Sequence, residues 1–336
     1  MANTKINYSE KLEAILSELP DFVSDYIYTF DRAQNYATKY QYARDIKDFF
    51  RFLVNFIEEY SDKTMHELTL SDLDSVEPIM VNRYMTVLAG DEENGCKLNT
   101  IKRRRAAISS MYGFFLVNHK VKSNPVQATK PVKIPSKNVI YLTNEEQHLL
   151  LETIRSGNNL PGKAEKIHNL FADRDSALFL LLLDTGLRVS EAVETNIIDY
   201  DFKRCRVLVT RKGGDVQYVF YSDECAKYLK AYFDNRKGVE KTTPAFVTTT
   251  GKRLGVRAIE SRLKQYVMAC MPEKTSIISP HKLRSSFAMS FYAASGNNIL
   301  LLQKKLNHKN IQTTNIYAKA SEQDLEESRG ILQGKR

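Results

Sequence analysis

Through the first 120 positions apolar residues recur every three or four places, with no strand-like alternation. Leu12, Ile15, Leu16 and Leu19 form a short helical pattern that Pro20 ends. Tyr42, Ile46, Phe49, Phe50, Leu53, Phe56 and Ile57 form a longer stripe, the spacing by which a helix turns one face to a core. Met80, Tyr84, Val87 and Leu88 repeat the pattern after Pro78, and Asp91–Gly95 is a polar turn. Asn99 is positioned to cap a helix on which Ile101, Ile108, Met111, Tyr112, Phe115 and Leu116 share a face. On it Lys102 and Arg103 point away from the stripe, and Arg104 and Arg105 sit at its edges. The pattern predicts a polar lead-in over 1–20 and an all-helical domain over 21–120.

Residues 121–140 carry Pro125, Pro131 and Pro135 among lysines and small polar residues, the composition of an extended basic linker. A second domain, 141–336, opens with the capping box Thr143-Asn-Glu-Glu146. Ala172–Thr185 is a strongly apolar helix with Gly186 placed to end it. Arg206–Arg211 and Val216–Tyr221 flank Lys212-Gly-Gly-Asp215 and predict a β-hairpin. Ser222 is placed to cap a helix reaching about Phe233. Helical patterns continue at Val256–Met271, His281–Ala294 and Asn298–Leu306. The expected fold is mainly α with one small β-sheet, in two domains, the second α+β.

Composition narrows the class. The 336 residues are 43% hydrophobic and 26% charged, an ordinary globular balance. The longest run of large aliphatic or aromatic residues, Leu178–Leu183, is far shorter than the ~20 residues of a membrane span. Cys96, Cys205, Cys225 and Cys270 are scattered, with neither zinc-ligand nor disulfide spacing, which suits a reducing cytoplasm. Charge is unevenly spread. Residues 1–100 hold 10 Lys/Arg against 18 Asp/Glu, whereas 101–140 hold 9 Lys/Arg and no acid. That stretch reads as a footprint for a polyanion or as a solvated basic linker, and charge alone does not choose between them.

Several polar residues stand where packing does not ask for them. Thr185-Gly-Leu-Arg188-Val-Ser-Glu191 spaces an arginine and a glutamate three apart, and His281-Lys-Leu-Arg284 spaces a histidine and an arginine likewise. Leu306-Asn-His308 precedes Tyr317, and Lys212 occupies the hairpin tip. Singly, each has an ordinary explanation: a surface ion pair worth under ~1 kcal/mol, a helix cap, a packed tyrosine, a solubilising lysine. Together they meet the demands of metal-free phosphodiester transfer. Arginine forks hold the non-bridging oxygens. A lysine supplies the leaving oxygen's proton, imidazoles manage hydrogen bonds, and a phenol forms a reversible adduct. No carboxylate cluster suits two-metal catalysis, so neither metal nor cofactor is expected.

In order and spacing these motifs (TGLRVSE, a KGG hairpin, HKLR, LNH and a tyrosine nine residues on) closely resemble the tyrosine recombinase, or phage integrase, family, in the compact Xer-like form without an arm-binding domain. The resemblance spans about residues 25–325. It implies a SAM-like helical core-DNA-binding domain followed by an α+β catalytic domain. It also implies that Arg188 and Arg284 clamp the scissile phosphate and that Lys212 protonates the 5′ oxygen. His308 would donate to a phosphate oxygen, His281 assist the tyrosine, Glu191 hold the site in shape, and Tyr317 form a 3′-phosphotyrosine. Asn307 stands where the family usually has glycine; in a left-handed position asparagine is the next most tolerant residue. Lys282 stands where the family often has an acid.

The function implied is site-specific recombination of double-stranded DNA through a Holliday junction, without metal or ATP. A cytoplasmic, nucleoid-associated homotetramer is expected, passing the tail after Tyr317 (with Leu325, Ile331 and Leu332) to a neighbour or packing it at home. The rival readings are a type IB topoisomerase and a non-catalytic DNA-binding regulator. Lys102, Arg103, Arg104, Arg105, Arg253, Arg257 and Arg262 are the expected phosphate contacts. Binding to duplex DNA, followed by fluorescence anisotropy, should therefore weaken steeply and log-linearly as salt rises; affinity independent of salt would remove the electrostatic footprint.

Overall fold

The computed structural model describes residues 7–30, 36–90, 94–135, 138–211, 214–236, 240 and 242–319. The chain divides into two compact units, Met1–Ser136 and Lys137–Arg336.

The first unit is helical throughout. Helix α1 (Tyr8–Leu16) is capped by Asn7, whose side chain accepts from the Ser9 and Glu10 amides at 3.2 and 3.4 Å. Leu12, Leu16 and Leu19 are buried and α1 packs on α3, so the expected lead-in is part of the core. Helices α2 (Asp21–Tyr28) and α3 (Tyr36–Phe56) follow, α3 burying Ile46, Phe49, Phe50 and Leu53 as its stripe requires. Helix α4 (Leu70–Asp74) is a short turn with a Thr69–Asp72 capping box, and α5 (Pro78–Ala89) carries proline at its start, where no amide partner is lost. Helix α6 (Leu98–Val117) begins one residue before Asn99, after Lys97, so Asn99 is not its cap. Two stripe residues, Phe56 and Val87, are exposed. The core is aromatic: the Phe49 and Tyr84 rings meet edge to face at 5.2 Å, and Tyr112 donates from within it to the Leu73 carbonyl at 3.0 Å.

The expected linker does not start at 121. Val121 and Val126 are buried in this unit's core, and Asn124 accepts from the Val126 amide at 3.1 Å while donating to the Ser109 carbonyl at 3.0 Å. Pro125–Ala128 is a 3-10 turn laid against α6. The prolines here shape a turn with a packed apolar side, so the segment stays on the domain.

In the second unit the capping box forms as expected: Thr143 and Glu146 bracket the start of α7 (Asn144–Ser156), which ends at left-handed Gly157. Helix α8 (Gly162–Thr185) starts ten residues before the apolar stretch that announced it, because its first turns are polar and half exposed. It ends at Gly186, φ +65°, where a Cβ would come 2.3 Å from the Phe287 ring. Helix α9 (Val189–Glu194) follows directly. The sheet is β1 (Tyr200–Asp201), β2 (Arg206–Thr210) and β3 (Val216–Phe220), antiparallel in that order, with Arg206 opposite Phe220 and Thr210 opposite Val216. Strand β1, two residues long, is too short to leave an alternation signal. Helix α10 (Asp223–Asp234) is capped by Ser222. Helix α11 (Val256–Cys270) leads to α12 (Pro280–Ala294), with Ser279 before it, so His281 lies inside the first turn. Helix α13 (Ile299–Leu306) is capped by Asn298 and ends at Asn307, φ +50°, the left-handed conformation that favours glycine or asparagine. Helix α14 (Gln312–Ala318) carries Tyr317. The tail with Leu325, Ile331 and Leu332 lies outside the described residues. Among the described residues no helix is long and apolar enough to cross a membrane.

Under α8 and α11 lies a buried polar network centred on Asp175. Its Oδ1 accepts from Arg174 Nε and Nη2 at 2.9 and 2.7 Å, and its Oδ2 accepts from Arg262 Nε and the Tyr266 hydroxyl at 2.8 Å each. His168 Nδ1 lies 3.1 Å from that hydroxyl. Asp175→Ala would leave two buried guanidiniums without their carboxylate and should cost about 3–5 kcal/mol in urea denaturation.

Candidate active site

The C-terminal ends of two helices meet at Arg284. It projects from the start of the second turn of α12, and its side chain is almost wholly buried. Nη1 donates to the Gly186 carbonyl at 2.5 Å, just past the end of α8, and Nη2 to the Leu306 carbonyl at 2.7 Å, the last residue of α13. A cation between two helix C-termini satisfies orphan carbonyls and meets the negative ends of both dipoles. Burial, with nearby Arg188, lowers its pKa to about 10. Arg284 is thus structural cement as well as a charge.

Glu191, buried on the first turn of α9, organises the other arginines. Oε2 accepts from the Arg188 amide at 2.9 Å and from Arg211 Nη1 at 2.5 Å, and Oε1 accepts from Arg188 Nη1 at 2.8 Å. Burial pushes its pKa up, but the Arg188 amide and the two guanidiniums outweigh that and hold it below the usual carboxylate range. Arg188 keeps 41% of its side chain exposed, and among the described residues only Nη1 of its guanidinium is bonded to Glu191. Arg211 is as buried as the glutamate.

His308 follows the left-handed Asn307. Arg284 Nη2 donates to its Nε2 at 3.1 Å, which assigns the ring proton to Nδ1, and Nδ1 then donates to Thr314 Oγ1 at 2.9 Å. Gln303 fixes the backbone here by donating to the His308 carbonyl at 3.0 Å. Burial and the cations Arg284 and Arg188 push its pKa down to about 4. His281 sits at the surface of the same region; partial burial and the charges of Lys282, Arg284 and Arg188 lower its pKa. Tyr317 is 3% exposed, packed with Phe287, Tyr292, Leu302 and Leu306, and close enough to Arg284 for the two to interact electrostatically. The structure thus brings Arg188, Glu191, His281, Arg284, His308 and Tyr317 of one chain together. Lys212 lies outside the described residues. Two members were not picked from the sequence: Arg211, whose only signal was its place beside the hairpin turn, and buried Thr314, which has no signal apart from lying on the Tyr317 helix.

The expected phosphate contacts fare unevenly. Lys102 and Arg257 are exposed. Arg262 is a correction: it is 7% exposed and bound to Asp175 and Tyr266, a core group and not a surface cation. Arg103 pairs with buried Asp45, and Arg104 with Asp48 at 2.9 Å. Arg105 donates to the Val126 and Thr129 carbonyls at 2.7 and 3.1 Å, and Arg253 to the Val193 and Thr195 carbonyls. These four, half-buried, have internal partners that the sequence does not reveal. Among the described residues no group of three or more His, Cys, Asp or Glu side chains is placed to hold a metal ion.

An arginine cluster around one glutamate, with a histidine between α13 and α14 and a tyrosine on α14, is the arrangement of the tyrosine recombinase class. Residues 141–324 match the phage integrase family, and the chain belongs to that family. It is 29% identical over 320 residues to tyrosine recombinase XerC of Caldanaerobacter subterraneus, covering 92% of this chain and 86% of that one. To tyrosine recombinase XerS of Streptococcus thermophilus it is 26% identical over 336 residues, covering 92% and 94%. Two solved structures share the fold: XerH site-specific recombinase bound to a palindromic difH substrate (TM-score 0.69, 19% identity, 99% and 91% covered) and a lambda integrase dimer bound to a COC′ core site (0.63, 15%, 90% and 95%).

The depressed His308 pKa sets a pH dependence. The unfolded imidazole takes a proton near 6.5 and the folded one only near 4. Between those values the unfolded chain binds the extra proton, so stability present above pH 6.5 is lost as pH falls through 4. An NMR titration of the free protein should give His308 a midpoint near 4; a midpoint near 6.5 would contradict the neutral, Arg284-bonded ring.

Proposed function

We propose that this chain cleaves and rejoins double-stranded DNA at a specific site through a covalent 3′-phosphotyrosine, exchanging strands by way of a Holliday junction. The observation that carries this reading is the convergence of Arg188, Arg284 and His308 beside Tyr317 with Glu191 as the one carboxylate bonded to the arginines among the described residues. Such a site carries excess positive charge in a partly buried region, where a phosphodiester is the fitting counter-ion.

In the step proposed, the exposed part of Arg188 and the remaining donors of Arg284 take the non-bridging oxygens. The Tyr317 oxygen bonds to phosphorus, the bond to the 5′ oxygen breaks, and that oxygen receives a proton from Lys212. His281 assists loss of the phenol proton. His308 starts neutral with Nε2 as an acceptor. A phosphate beside it raises its pKa, so the ring gains a second proton and Nε2 becomes a donor to the phosphate. Because the phosphotyrosine keeps the energy of the broken bond, the 5′ hydroxyl of another strand reverses the step without ATP. Lys102 and Arg257, with the partly engaged Arg103, Arg104, Arg105 and Arg253, form the remaining DNA-binding set. The working assembly is a homotetramer on paired sites, joined by exchange of the segment after Tyr317, acting on the nucleoid in the cytoplasm.

The test is covalent capture on a pool of nicked duplexes with randomised sequence, followed by sequencing of the attached end. Wild-type protein should yield adducts on a narrow set of sites through the 3′ phosphate. Tyr317→Phe should bind the recovered site as well as wild type and form no adduct. Arg188→Ala and Arg284→Ala should lower adduct formation by ~10²–10³-fold, as expected for loss of a preorganised charge at a reacting oxyanion. No adduct from wild-type protein on any duplex would favour a DNA-binding regulator. Relaxation of supercoiled plasmid without regard to site would favour a topoisomerase.

A further inference from the structure

Arg211 has no part in the roles assigned above, yet it is among the most enclosed charges in the catalytic unit. It follows the last residue of β2 and is 4% exposed. Its amide donates to the Asp215 carbonyl at 2.7 Å, and its carbonyl accepts from the Gly214 amide at 3.0 Å, so its backbone is fixed at the base of the hairpin. With the Gln217 amide oxygen turned toward it, Nε and Nη2 donate at 3.0 and 2.7 Å, while Nη1 reaches Glu191 Oε2 at 2.5 Å.

The charge arithmetic at Glu191 gives this contact its meaning. One carboxylate sits between two guanidiniums. Were Arg211 absent, Glu191 would be a full counter-ion for Arg188, free to draw it inward and cancel its charge. With Arg211 occupying Oε2, the Arg188 guanidinium bonds to Oε1 alone among the described residues, and its side chain stays 41% exposed. A buried ion pair held from the base of the hairpin also keeps the carboxylate from rotating, which a side chain on a six-residue helix would not ensure by itself.

We propose that Arg211 is a positioning residue for DNA cleavage: it holds Glu191 so that Arg188 meets the scissile phosphate as an oriented, uncancelled cation. This rests on the recombinase reading above and extends it to a residue that touches neither phosphate nor tyrosine.

In the cleavage step the phenol oxygen adds to phosphorus, the 5′ oxygen leaves with a proton, and negative charge gathers on the two non-bridging oxygens. Replacing one of those oxygens by methyl removes that charge, and with it the need for a cationic clamp. Placing sulfur at the 5′ bridging position instead removes the need for the leaving group's proton. The experiment compares wild type, Arg211→Gln and Arg211→Lys on the duplex recovered by covalent capture, made with an ordinary, a methylphosphonate or a 5′-sulfur scissile linkage. Gel shift and thermal melting are followed in parallel.

Arg211→Gln should bind the duplex within about twofold of wild type and cleave the ordinary linkage ~100-fold more slowly, the scale of one lost oxyanion contact. On the methylphosphonate it should come within about fivefold of wild type. Arg211→Lys, which keeps the charge against Glu191, should lose no more than about tenfold on the ordinary linkage and remains informative if the glutamine variant does not fold. Equal loss on all three linkages would reduce Arg211 to a folding residue and overturn the proposal. So would rescue by 5′ sulfur alone, which would assign its effect to protonation of the leaving group. Wild-type cleavage of the ordinary linkage by Arg211→Gln would overturn it too. Failure of wild-type protein to form an adduct on the ordinary duplex would instead count against the recombinase reading.

Discussion

The catalytic unit is built around a crowd of like charges that must be kept together without being neutralised. Among the described residues Arg188 and Arg211 share one bonded carboxylate, Glu191, with Arg284 close by, and two imidazoles stand in the same field. Left to themselves, three guanidiniums would repel one another and seek water. What overcomes this is not a matching number of acids but helix ends. Arg284 is held by the carbonyls that close α8 and α13, groups that need a donor in any case. The stabilisation of the fold and the positive potential of the site therefore come from the same contacts.

That arrangement explains several local choices. Gly186 must be left-handed for α8 to stop where its carbonyl meets Arg284, and a side chain there would run into Phe287. Asn307 performs the corresponding turn at the end of α13 and sends the chain on to His308. Thr314, one turn before Tyr317, ties the Tyr317 helix to the imidazole that Arg284 holds. A displacement of any one of these is felt by the others, because each has the guanidinium or its immediate partner in common.

The same economy is absent from the first unit's basic helix. Its arginines were expected on the DNA-facing side, but Arg103 and Arg104 pair with Asp45 and Asp48 of α3, and Arg105 holds the turn at Pro125–Ala128 against α6. An arginine on a helix edge is long enough to serve the fold and still show part of its surface, so the two uses are not separable by pattern alone.

Local physics made much of this chain readable before any coordinates. Helix starts at Thr143, Ser222 and Asn298 and the stop at Gly186 follow from short-range hydrogen bonding and backbone conformation, which depend on a few neighbouring residues. The arginine, histidine and tyrosine positions stood out because their chemistry is unusual at such spacing. Other features were hidden because their causes are distant in sequence. Arg262 is buried because Asp175, 87 residues away, is its partner, and Arg103 is engaged by an aspartate 58 residues away. Arg211 and Thr314 acquire their roles only from what folding sets beside them. Sequence alone decided those helix ends that rest on a local cap or glycine, and which chemical groups are available. Which of the many arginines face an incoming anion and which are bound inside was decided by tertiary packing, since burial and partner distance are properties of the folded chain and not of any local stretch.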